Sequence, residues 1–190
     1  MKKTAFLILV MAFVLLLASC GQNQAKDTTV TAEEWDAMLA LNNFTMEISI
    51  TTEQPQNGIT YFTADAVVAE ATSGDMSIGN CFVKRDDGWH YYVKGVNEST
   101  YTQVSTLKDA ELNVAYSLVG SLGTKNYEDF EYDKDKMAYV CEISDGLSVA
   151  MYVEDGRLVK AVSKSGEITH TQSYYNYGST SVTLPEGIAE

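Results

Sequence analysis

The sequence predicts a mainly β (α+β) fold: an antiparallel sheet of about eleven short strands, with two helices laid against one face. Three observations carry that reading. After position 43, apolar residues alternate with polar ones over most of the chain, the two-residue period of a strand with one dry and one wet face. Asp-Gly and Ser-Gly steps punctuate these runs at roughly ten-residue spacing, which is how strands joined by tight turns are written. Two stretches break the pattern with the longer period of an amphipathic helix.

Thr31-Ala32-Glu33-Glu34 fits a capping box, and Trp35, Met38, Leu39 and Leu41 follow at near-helical spacing, so a helix over roughly residues 32 to 41 opens the domain. From Asn43 the period becomes two, with Phe44, Met46, Ile48 and Ile50 on one face. Gln56-Asn57-Gly58 reads as a turn, Ile59 to Thr72 as one long strand, and Ser73-Gly74-Asp75 as the next turn. A third strand places Met76, Ile78 and Phe82 on one face; Arg85-Asp86-Asp87-Gly88 turns into Trp89 to Val93, and Tyr101 to Ser105 is a fifth. Thr106 then caps a second helix whose stripe is Leu107, Ala110, Val114, Leu118, Val119 and Leu122, with Gly120 and Gly123 marking its end. The strand period returns in Tyr127 to Tyr132, Met137 to Ile143, Leu147 to Val153, Arg157 to Ser163 and Glu167 to Tyr175, and Ser181 to Leu184 is the last strand. A sheet of this many strands curls or closes, and its apolar face needs cover, which the two helices supply.

The N-terminus carries an address. Lys2 and Lys3 precede an unbroken run of 14 apolar residues from Ala5 to Ala18, the length of a signal-peptide core and short of the roughly 20 needed to cross a bilayer. The run ends in Leu17-Ala18-Ser19-Cys20, which resembles the bacterial lipobox, and a polar stretch from Gly21 follows. Residues 1–19 are therefore expected to be a lipoprotein signal peptide. Residues 20–30 are expected to be a lipidated Cys20 with its tether, and residues 31–190 a single domain. In that class the cysteine sulfur carries a diacylglycerol, whose two acyl chains anchor the protein at the extracytoplasmic face of the cell membrane. A net charge of −13 excludes a partner held by phosphate neutralisation, so nucleic acid is not expected.

No catalytic constellation is present. His90 alternates with Trp89 and Tyr91 and is expected to point outward; no H-E-x-x-H, G-x-S-x-G or phosphate-loop motif occurs. Asp133 and Asp135 lack the glycine and glutamate of a calcium loop and read as a solvated turn. The chain is thus expected to be no enzyme and to need neither metal nor cofactor. Cys81 and Cys141 fall on the third and seventh strands of a simple meander. At about 4.8 Å per strand they lie beyond the roughly 7 Å reach of a disulfide, so both are expected to be free.

The order of elements, the length and the lipobox together resemble the LolA/LppX-type lipoprotein carrier superfamily. The Tyr175 to Pro185 ending (Tyr-Asn-Tyr-Gly-Ser-Thr-Ser-Val-Thr-Leu-Pro) is the most specific local likeness, beside Thr31 to Trp35 and Asn42 to Thr45. The resemblance implies a strongly curved antiparallel half-barrel with helices covering the concave side and a lipid or acyl chain between them. Inward-facing candidates for such a cavity are Phe44, Met46, Ile48, Met76, Ile78, Phe82, Trp89, Tyr91, Met137, Tyr139, Val149 and Met151. Taken residue by residue, the same set is equally what a filled core would use. The alternative to a carrier is an envelope protein-interaction or sensor module with no small-molecule ligand, whose protein partner the sequence does not specify.

Overall fold

The computed structural model describes residues 29–108 and 126–188. The signal segment, Cys20, and positions 109–125, on which most of the expected second helix falls, lie outside the described residues. Helix α1 (Ala32–Leu39) is followed by β1 (Phe44–Thr51), β2 (Gln56–Phe62), β3 (Ala66–Ser73), β4 (Met76–Arg85), β5 (Gly88–Lys94) and β6 (Thr102–Leu107). A 3-10 turn at Tyr127–Asp129 then leads into β7 (Glu131–Asp133), β8 (Ala138–Ser144), β9 (Leu147–Glu154), β10 (Arg157–Ser165) and β11 (Ile168–Tyr175).

All eleven strands form one open antiparallel sheet in the order β6-β5-β4-β3-β2-β1-β11-β10-β9-β8-β7. Two meanders, β1 to β6 and β7 to β11, are joined by the pairing of β1 with β11, from Thr45 opposite Tyr175 to Thr51 opposite Thr169. Register shifts interrupt β5–β6, β8–β9 and β9–β10, and an extra residue in one strand bends and twists a sheet locally. The result is half-barrel-like, with one core cluster that gathers residues from both ends of the sheet and from α1.

Helix α1 forms as expected: the Thr31 hydroxyl accepts from Glu34 N–H at 3.2 Å, and the Glu34 carboxylate accepts from Thr31 N–H at 2.8 Å. Trp35 and Met38 are the residues it buries against the sheet.

Several elements differ from the sequence expectation. The long strand over residues 59–72 is two strands, because Thr63 closes a turn on Ala66: its hydroxyl donates to Ala66 O (2.9 Å) and accepts from Ala66 N–H (3.0 Å). The turn before β2 lies at Thr52–Pro55, where Thr52 Oγ1 donates to Gln54 O at 2.6 Å, and Gln56, Asn57 and Gly58 are strand. Pro55 has no N–H to give a ladder. Among the described residues there is one α-helix rather than two, and Thr106 and Leu107, expected to start the second, are strand residues opposite His90 and Trp89. Asn126 and Asp129 close the 3-10 turn, so of the 127–132 run only Glu131 and Tyr132 are strand, at the start of β7. Ser181 to Leu184 pairs with none of the described strands. The count of eleven survives because one expected strand divides and another does not form.

The segment after β11 crosses to the outer face. Asn43 clamps it, donating through Nδ2 to Thr180 O (3.1 Å) and accepting Thr180 N–H (2.9 Å), while the buried hydroxyls of Thr45 and Thr180 bond at 3.0 Å. Beyond the clamp, Val182, Leu184 and Ile188 cover Val68, Cys81 and Val83, forming a second, smaller core. The alternating apolar residues that read as a strand thus pack face-down on the sheet. Cys81 on β4 and Cys141 on β8 are seven strand positions apart in the sheet order, and both are free and buried.

Candidate functional site on the concave face

Strand register divides the expected cavity residues into two groups. Phe44, Phe82, Trp89, Tyr139, Val149 and Met151 are all buried in the one cluster that also holds Trp35 and Met38 of α1. Phe44 stacks on Phe62 with ring centroids 4.4 Å apart, and Phe82 stacks on Tyr91 at 4.4 Å. Trp35 drops from α1 between Tyr127, Phe130 and Tyr139, with centroids 4.9–5.6 Å away. These side chains have protein on every side. This half of the concave face is a packed core, and packed interiors leave little void.

The start of the domain is fastened to the same half. Val30 N–H donates to the Tyr139 hydroxyl, and the Tyr127 hydroxyl donates to Val30 O at 2.9 Å. Burial pushes the Tyr139 hydroxyl above its ordinary pKa, opposed by the hydrogen bond it accepts from Val30 N–H, and so keeps it protonated.

The other half is open. One cross-strand row on this face runs Ile48, Gly58, Ala71, Ile78, and the next runs Ile50, Gln56, Ser73, Met76. Met76 and Ile78 are 48% and 41% exposed, although both stand on the face that is apolar and buried a few residues away. Between Ile48 and Ile78 the floor is Gly58 and Ala71, so it is recessed between larger side chains. A Cβ at Gly58 would already meet Glu70 O at 3.2 Å and Ala71 Cβ at 3.7 Å. Met46 and Tyr91, both half-buried, border the packed half, and the Tyr91 hydroxyl donates to Asn80 Oδ1 at 2.7 Å. Sequence alternation identified the large residues of this strip and missed its floor; small residues at alternate positions 58, 69 and 71 were the available signal.

Met137 belongs to neither half. It lies in the turn before β8 with φ 50° and is 63% exposed, because the Asp133 carboxylate accepts the N–H groups of Asp135 (3.0 Å) and Lys136 (3.1 Å) and carries the turn past it. Lys136 Nζ lies 2.7 Å from the same carboxylate and holds it below its ordinary pKa, so the Asp-x-Asp pair is a charged turn. His90 faces outward against Asp87 at 2.8 Å, and this hydrogen bond lowers the pKa of Asp87. Among the described residues no group of three or more His, Cys, Asp or Glu side chains is placed to hold a metal ion.

The chain matches no known family model and no curated protein. Its functional reading rests on its own residues.

Proposed function

We propose that this is an extracytoplasmic protein, anchored to the cell membrane through a diacylated Cys20, that holds an acyl chain or similar apolar ligand against the open half of its concave face. It acts by non-covalent binding and performs no catalysis. The observation that carries the reading is the pair Met76 and Ile78, about half exposed on the inner face and separated from Ile48 by the recessed floor of Gly58 and Ala71. A trough with aliphatic walls and a low floor suits a flexible chain, and methionine adapts to a ligand of variable shape. Each methylene moved from water into such a trough contributes about 0.8 kcal/mol.

The packed half favours a second reading. With Phe44, Phe82, Trp89, Tyr139, Val149 and Met151 committed to the core, the exposed strip of Met76 and Ile78 also suits the apolar side chains of a protein partner. Native mass spectrometry of residues 21–190, purified from a bacterial host without detergent and then extracted with organic solvent, separates the two. A stoichiometric co-purified lipid supports the carrier. A clean apo mass, unchanged after incubation with membrane lipid vesicles, refutes it in favour of the interaction module.

A further inference from the structure

The outer face of the sheet carries a feature independent of the concave strip. A groove of about 370 Å³ runs over β3, β2, β1 and β11, lined mainly by the outward residues of those strands, with Ile48 and Gly58 of the inner-face row also bordering it. In one cross-strand row Glu47 and Glu70 flank Ile59, two strand spacings or about 10 Å apart at their backbones. Beside them stand Ser49, Asn57, Thr72, Thr171 and Ser173. The side chains of these five make no hydrogen bond with any described residue.

Both carboxylates are held in place while keeping one oxygen to offer. The Tyr175 hydroxyl donates to Glu47 Oε1 at 2.6 Å, and Lys94 Nζ donates to Glu70 Oε1 at 3.3 Å. The second oxygen of each accepts from no donor among the described residues.

We propose that this groove is a binding site for a short, uncharged oligosaccharide. The lining residues include no Lys, Arg or His, which leaves a phosphate or carboxylate ligand with no countercharge. Apart from Ile48 and Ile59 its lining residues are Glu, Ser, Thr, Asn and Gly, whose carbon and polar atoms both face the groove, a mixed surface rather than the wholly apolar one that suits a lipid. What remains is a ligand that both donates and accepts along its whole length. Sugar hydroxyls donate to Glu47 and Glu70, which as carboxylates only accept, and they accept from the Ser and Thr hydroxyls and the Asn57 amide. Ile59, between the two carboxylates, takes the C–H face of a ring. Lys94 offsets the charge of Glu70, which leaves Glu47, held by the neutral Tyr175 hydroxyl, as the one uncompensated carboxylate. The volume lies at the small end of the range of about 300–1,000 Å³ that small-ligand sites occupy.

The test uses the full chain in a detergent without a sugar headgroup, titrated calorimetrically with chitotriose, maltotriose and cellotriose, and with spermidine as a cationic comparison. Binding of at least one trisaccharide with Kd of about 1 mM or tighter is expected. Glu47→Gln should weaken it about tenfold or more, since a carboxylate acceptor is lost, Thr72→Trp should abolish it, and Ile78→Glu on the opposite face should leave it unchanged. Circular dichroism confirms that each variant is folded; should Thr72→Trp fail to fold, Glu47→Gln, at an exposed position, carries the test. Absence of heat with all three sugars, unchanged binding in Glu47→Gln, or spermidine binding in preference to every sugar overturns the proposal.

Discussion

Ile188 is the plug of the outer core, and removing it should expose the chemistry of Cys81. Cys81 is 0% exposed, beside Val68 and Val83 in the sheet and under Ile188, and burial pushes its thiol from 9.0 up to about 11 even with the Arg85 guanidinium opposing the shift. Arg85 also donates to Ile188 O at 3.3 Å, so the guanidinium ties the tail down over the thiol. Truncating a buried isoleucine to alanine costs about 2–5 kcal/mol, and here the loss is taken by a segment held by the Asn43 clamp and the Arg85 bond rather than by a ladder. Local opening of the tail is then the easiest response. Returning the thiol from about 11 to 9.0 raises its thiolate fraction at neutral pH about hundredfold, and access adds to that. Maleimide labelling of Ile188→Ala and of a chain ending at Pro185, with the labelled cysteine located by peptide mass mapping, should show Cys81 reacting about 100-fold faster or more. Cys141, in the other core, should keep its rate. Equal Cys81 rates in wild type and in both folded variants would refute the assignment of the tail as its cover.

The same shift predicts alkaline sensitivity. Cys81 and Tyr177 are both held protonated by burial, so between the unfolded and folded pKa values the native state binds more protons, and stability present below pH 9 is lost as pH rises through about 11. Denaturant midpoints measured across that window should fall, and Cys81→Ala should flatten part of the fall. The two halves of the concave face should separate in mutagenesis: Met151→Ala, at a fully buried position, should cost about 2–5 kcal/mol in urea unfolding. Ile78→Glu, at an exposed one, should leave the midpoint within about 0.5 kcal/mol while reducing lipid co-purification. Cys20→Ala should release the protein into the medium when membrane and soluble fractions are blotted; persistence at the membrane removes the anchor from the proposed function.

What the sequence made legible was local. The two-residue period placed Phe44, Met46, Ile48 and Ile50 on one face correctly, and the Thr31 capping box located α1, because both are set by near neighbours in the chain. The break at Thr63 was hidden because a threonine hydroxyl that turns the chain looks, in sequence, like any strand threonine. Met137 looked inward because its turn is dictated by the Asp133 carboxylate rather than by its own side chain. The β1–β11 pairing, and with it the distance between Cys81 and Cys141, joins residues far apart in the chain and leaves no mark on local pattern. Nor does alternation say how far a covering helix extends. Phe82 and Ile78 share a strand face, yet one is core and the other half exposed.

The β1–β11 seam also sets when the molecule can be finished. Every other pairing in the sheet joins strands that are consecutive in the chain, whereas this one brings together residues such as Glu47 and Tyr175, 128 positions apart. Closing a loop of that length costs about 4 kcal/mol of chain entropy before any contact across it is made. The two meanders can therefore assemble early and separately, with the seam as the slow, non-local step. The bonds that fasten it lie at the two ends of the domain, where Asn43 and Thr45 meet Thr180 and where Asn43 O accepts Gly178 N–H at 2.9 Å. A chain synthesised from its N-terminus thus keeps β1 without its β11 partner, and β4 with Cys81 uncovered, until residues 168–188 have been made.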